Sequence, residues 1–104
     1  MTKEMLVKEI VSHVDLIWEL YKKPTRFKSL TKYYRPIIKH FGSNIDLFQY
    51  LEAQNLLVMI MLVDGQRFLY PYKILENIDK QALTKDLAID IQLAKDFMGG
   101  KFYG

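Results

Sequence analysis

The segment LLVMIMLVDGQRFLYPYKIL, residues 56 to 75, constrains the fold more than any other part of the chain, because it reads as a β-hairpin with apolar side chains on both faces. Asp64-Gly65 is the favoured pair for a two-residue type I′ turn, which sets Val63 opposite Gln66 and fixes every pair beyond it. In that register one face carries Leu57, Met59, Met61, Val63, Phe68, Tyr70 and Tyr72. The other carries Leu56, Val58, Ile60, Leu62, Leu69 and Pro71, with Arg67 and Lys73 at its ends. A two-stranded ribbon is not stable alone in water, so at least one face must lie on helices. The second face has three possible covers: the last helix, a second copy of the chain, or a partner.

The segments before the hairpin supply the helices. From Lys3 to Lys22, Leu6, Ile10, Val14, Ile17 and Tyr21 recur at helical spacing opposite Glu4, Lys8, Asp15 and Glu19, and Val7, Val11 and Trp18 widen the apolar arc. The sequence KKPT breaks the pattern, and Thr25 is placed to cap the next helix. Between Arg26 and Phe41, Phe27, Leu30, Tyr34, Ile37, Ile38 and Phe41 form a second stripe. Pro36 removes one helical hydrogen bond, which predicts a kink or two short helices meeting at Arg35. Gly42 then supplies a stop and Ser43-Asn44 a cap for a third helix that buries Ile45, Phe48 and Leu51 or Leu47. The final helix, about residues 78 to 98, has two apolar strips. One consists of Leu83, Leu87, Ile91, Ala94 and Met98, the other of Ile89, Leu93 and Phe97, with Asp86 and Asp90 between them. Gly99-Gly100 is expected to end it and leave KFYG as a flexible tail.

The expected fold class is therefore α+β and mostly helical, with three N-terminal helices, one hairpin and one C-terminal helix. It forms a single domain over residues 1–98 with a tail over 99–104. With 104 residues, half of them hydrophobic, the chain can bury a core without staples. The absence of cysteine excludes disulfides, thiolate metal sites and cysteine nucleophiles, and points to a reducing, cytoplasmic setting. The longest apolar run, Leu56 to Val63, is far short of the ~18 residues that suggest a spanning helix, so no membrane role is expected.

Charge placement carries the functional signal. The net charge is only +3, yet no acid occurs between Glu19 and Asp46, where Lys22, Lys23, Arg26, Lys28, Lys32, Arg35 and Lys39 supply 7 of the 15 basic residues. At about 100° per residue, Lys28, Lys32, Arg35 and Lys39 fall within an arc of roughly 60°, away from the apolar stripe. Aligned cations neutralise successive phosphates and release counterions, and the neighbouring Tyr33 offers a ring on which an unpaired base can stack. His40 sits at the margin of this face. A solvated helix face is the bland reading of the same residues.

The order helix, helix, tight turn at FGSN, helix ending EAQNLL, apolar strand, DG turn, returning strand and final helix resembles the winged helix-turn-helix superfamily over roughly residues 26 to 74. LEAQNLLV resembles its recognition-helix end and first wing strand. The resemblance implies a helical scaffold whose third helix enters the DNA major groove while the wing touches backbone. Residues 44 to 55 hold no lysine or arginine and do hold Asp46 and Glu52, whereas groove-reading helices present Arg, Lys, Asn or Gln to base edges. The basic second helix is thus the expected nucleic-acid surface.

Other chemistry finds little support in the sequence. His13 falls in the apolar arc of the first helix and reads as a satisfied core histidine. Two histidines without cysteine do not make a zinc site. Asp86 and Asp90 lack a third carboxylate for magnesium and read as partners of basic neighbours. Serines 12, 29 and 43 have no base, and there is no glycine-rich phosphate loop, so neither a cofactor nor catalysis is expected. The leading expectation is a non-catalytic, homodimeric protein that binds duplex or single-stranded DNA as a regulator or replication accessory, with a lysine-rich composition suggesting an AT-rich genome or mobile element. The alternative is a small interaction subunit or inhibitor that meets a larger protein through Met59, Met61, Phe68, Tyr70, Ile89, Leu93 and Phe97.

Overall fold

The apolar spacing of the first twenty residues becomes a helix. A computed structural model of the chain, which describes residues 2–38 and 42–102, places α1 at Lys3–Tyr21. The Thr2 hydroxyl caps it by accepting the Met5 N–H at 3.2 Å, and Glu4 in the first turn complements the positive end of the helix dipole. Leu6, Ile10 and Val14 are fully buried. Tyr21, expected on the same stripe, is exposed because it is the last helical residue and lies beyond the core. Lys22 closes the helix in a left-handed conformation, its N–H donating to the Trp18 carbonyl at 2.8 Å.

A two-residue strand follows, β1 at Thr25–Arg26. Thr25 is therefore not a helix cap; Arg26 occupies that position and makes no capping bond through its side chain. The proline-containing segment divides as its sequence predicts, into α2 (Phe27–Tyr33) and α3 (Arg35–Ile38). Leu30, Tyr34 and Ile38 are buried, and Phe27 packs edge-on against Phe48 with ring centroids 4.7 Å apart. Lys39, His40 and Phe41 lie outside the described residues, as do the side chains of Ile37, Ile45 and Met98.

Helix α4 spans Asn44–Ala53 and is capped by the Ser43 hydroxyl, which accepts the Asp46 N–H at 3.1 Å. It buries Leu47, Phe48 and Leu51. It ends on Asn55 with φ +57°. The Leu56 N–H donates to the Leu51 carbonyl and the Asn55 N–H to the Glu52 carbonyl, both at 3.0 Å, which is the Schellman arrangement.

The hairpin consists of β2 (Leu57–Met61) and β3 (Arg67–Pro71), with Leu57 opposite Pro71 and Met61 opposite Arg67. This register differs by one residue from that of a two-residue turn. Asp64 keeps an ordinary φ while Gly65 adopts +89°, so the type I′ conformation is not formed. Instead the Gly65 N–H donates to the Leu62 carbonyl at 2.9 Å, and the Leu62 N–H donates to the Gln66 carbonyl at 2.8 Å, closing a three-residue loop of Val63, Asp64 and Gly65. The Asp64 carboxylate stabilises this loop by accepting the Gln66 backbone and side-chain N–H groups at 3.0 and 2.7 Å. Because side chains alternate, the shift exchanges the faces of β3. Leu57, Met59 and Leu69 now share one face, and Val58, Ile60, Phe68 and Tyr70 share the other.

Strand β3 is central in a three-stranded antiparallel sheet of order β1-β3-β2. Each face of the hairpin is covered by its own chain. Leu57 and Leu69 join Leu6, Ile10, Val14, Leu30 and Leu51 in one core. Val58, Ile60, Phe68 and Tyr70 join Ile74, Leu83 and Leu87 in a second, with Trp18 and Ile91 at its edge. Ile74 comes from a 3-10 turn at Tyr72–Glu76, and the two leucines from α5, Lys80–Phe102. Asp79 caps α5, its carboxylate accepting the Ala82 N–H at 2.7 Å. Of the three possible covers for the second hairpin face, the last helix is the one observed. The backbone of α5 continues through Gly99-Gly100 to Phe102 instead of stopping there; glycine weakens a helix by about 1 kcal/mol but removes no donor.

Candidate nucleic-acid interface

The acid-free stretch does not form one rod; it runs from the end of α1 through β1, α2 and α3. Lys22, Lys23, Arg26, Lys28, Lys32 and Arg35 are all exposed along it. Lys22 is partly neutralised by Glu19, 3.7 Å away, and Glu19 also binds Lys73 at 2.5 Å. These two lysines, the Lys73 hydrogen bond first, hold the Glu19 carboxyl below the usual carboxylate range. Lys23, Arg26, Lys28, Lys32 and Arg35 have no carboxylate within 4.0 Å among the described residues. Lys39 belongs to the same predicted face but is outside the described residues.

Tyr33 stands 72% exposed at the end of α2, braced by Tyr34 and His13 at centroid distances of 4.9 and 6.1 Å. His13 is thus a half-buried member of an aromatic group, not a core residue. Its other ring neighbour is Tyr34 at 6.1 Å. Burial pushes the Tyr34 phenol up, with Glu9 adding to the effect.

An open groove of about 650 Å³ lies between the start of α2 and the hairpin tip. Arg26 and Lys28 line one wall and Arg67 the other. The two guanidiniums rest on rings: Arg26 over Phe68 at 5.9 Å and Arg67 over Phe27 at 5.5 Å. This crossed arrangement follows from the ladder, in which Arg26 is the direct partner of Phe68. Sequence reasoning missed Arg67 as a site residue because it read Thr25 as a helix cap and assigned no strand there to lie beside β3. The available signal was an arginine-aromatic pair, Arg26-Phe27, matched by a second, Arg67-Phe68.

The residues expected at a partner interface separate into two groups. Phe68 and Tyr70 are buried in the second core, and Met59 is partly buried against the first. The separation follows from the covering of both hairpin faces by the chain's own helices, which leaves only the strand end at Met61 and the outer side of α5 exposed among these residues. Met61 is exposed, as are Ile89, Leu93 and Phe97 at 48%, 61% and 79%. On α5 the two predicted strips are thereby distinguished, with Leu83 and Leu87 turned to the core and Ile89, Leu93 and Phe97 to solvent.

The outer surface of α4 differs in character from the basic stretch. Glu52 binds Lys80 of α5 at 2.9 Å, and the Lys3 ammonium lies over the Tyr50 ring at 4.2 Å. Asp86 and Asp90 have no cation within 4.0 Å among the described residues, contrary to the expected salt links. Their charges add to burial in pushing the Tyr70 phenol up to about 12. Among the described residues, no three His, Asp or Glu side chains are grouped to hold a metal ion, and no helix is long and apolar enough to cross a membrane.

Comparisons with protein-family models, curated proteins and solved structures found no match to this chain.

Proposed function

We propose that this chain is a non-catalytic DNA-binding protein of winged-helix-like build that contacts phosphates through the surface of β1, α2 and α3. The observation that carries the reading is a run of five exposed cations, Lys23, Arg26, Lys28, Lys32 and Arg35, without a carboxylate within 4.0 Å among the described residues. Surface cations are ordinarily interspersed with acids; a segment that leaves them unpaired maintains a positive field suited to a polyanion. The helix–helix–turn–helix–hairpin order supports the winged-helix reading. The acidic, internally paired face of α4 argues for phosphate contact through α2 in place of base reading by the third helix. A cytoplasmic regulator or replication accessory, of the kind carried by mobile elements, fits these features.

Fluorescence anisotropy with labelled duplex and single-stranded oligonucleotides at two ionic strengths tests the proposal. Binding should weaken with salt by a slope of about 0.9 per duplex phosphate contacted. The double substitution Lys32→Glu, Arg35→Glu should abolish it while the melting temperature stays within a few degrees. Parental affinity in that variant would refute the reading.

A second reading, self-association or docking to a larger protein, is favoured by the exposed strip of Ile89, Leu93 and Phe97. It is compatible with the first, since many DNA sites are bound by symmetric dimers.

A further inference from the structure

We infer that the groove between α2 and the hairpin tip holds a nucleic-acid phosphodiester backbone, clasped by Arg26 from one wall and Arg67 from the other. This inference rests on the DNA-binding reading and extends it to a second element of the fold. The two arginines come from different strands, yet each guanidinium is held on an aromatic ring contributed by the other's neighbour, Arg26 on Phe68 and Arg67 on Phe27. Stacking limits their rotamers before a ligand arrives while leaving the N–H edges free, so less side-chain freedom is lost on binding. Neither has a carboxylate within 4.0 Å among the described residues.

The ligand class follows from the shape and the donors. Planar guanidinium forks match tetrahedral phosphate oxygens in pairs, and Lys28 adds a point charge on the same wall. The groove is a trench open to solvent, which suits a linear polyanion better than an enclosed small anion. Asp64, the one acid that lines it, has its two oxygens occupied by the Gln66 backbone and side chain and does not bridge to either arginine. Gln66 and Gly65 complete the hairpin side, and the space beside the Gly65 Cα is open.

The test compares the full chain with Arg67→Gln and Arg67→Lys by anisotropy on a labelled duplex across a salt series. Arg67→Gln should raise Kd about tenfold and reduce the salt slope by about one contact. Arg67→Lys should keep the parental slope but bind several-fold more weakly, because the charge remains and the fork is lost. If the parent binds DNA and Arg67→Gln matches it in affinity and slope, the groove inference fails while the α2 reading stands. If the parent does not bind DNA at all, both fail. Should Arg67→Gln not fold, Arg67→Lys decides alone, and parental affinity there overturns the clasp. Displacement of the duplex by equimolar-charge polyglutamate as readily as by unlabelled DNA would also overturn it, showing a surface for acidic protein.

Discussion

Single side chains mark where the molecule is under tension and where it is relaxed. The Thr25 hydroxyl is buried with no hydrogen-bond partner among the described residues, a consequence of drawing a polar β-branched residue into β1 opposite Leu69. Valine has nearly the same shape and no polar atom to desolvate, so Thr25→Val should raise stability by about 1 kcal/mol, read as a higher urea midpoint with an unchanged slope. Tyr70 is the opposite case, a phenol comfortable when neutral. Its pKa is pushed to about 12 by burial, with Asp90 and Asp86 adding repulsion, against an unfolded value near 10. Between those values the unfolded chain releases a proton that the folded chain keeps. Stability is therefore fully present below about pH 10 and falls by roughly 2–3 kcal/mol as pH rises through 12. Tyr70→Phe should flatten that part of the pH–stability curve, measured by denaturant melts from pH 9 to 12.

At the scale of elements, caps and turns decide boundaries that hydrophobic spacing leaves open. Asn55 holds the left-handed position that lets α4 hand the chain directly to β2. Asn55→Gly should be neutral to slightly stabilising, whereas Asn55→Val should cost about 1–2 kcal/mol, because a β-branched side chain clashes in that conformation. Thermal melts followed by circular dichroism distinguish the two. The same scale explains what could be read in advance. The stripe of Leu6, Ile10 and Val14 and the division at Pro36 were legible because burial periodicity and the missing N–H of proline act locally. Strand β1 was not, since two residues have no period and its existence depends on β3, about forty positions away. The hairpin register was misread for a related reason. Asp-Gly serves both a two-residue and a three-residue loop, and the choice rests on which faces the neighbouring helices bury, information that lies outside the turn. The basic stretch was visible as charge alone, but its meeting with Arg67 required the sheet.

For the molecule as a whole, the distribution of exposed apolar surface follows the same logic. The distal part of α5 carries Leu93 and Phe97 in solvent; a helical segment of that kind draws little stability from propensity alone. We propose a second copy of the chain as the cover for this strip. Leu93→Glu should convert a dimer into a monomer in sedimentation equilibrium while leaving the monomer's own melting transition within about 0.5 kcal/mol, as for an exposed position. A parent that sediments as a monomer at all concentrations would exclude this assembly.

The hairpin separates two apolar compartments and contributes one of its faces to each. Melting of either compartment alone would expose the apolar side chains of one sheet face to water, which couples the two. Heating should accordingly produce one calorimetric transition with equal van't Hoff and calorimetric enthalpies, and the backbone amides of Phe68, Leu69 and Tyr70 should exchange with solvent only when everything comes apart.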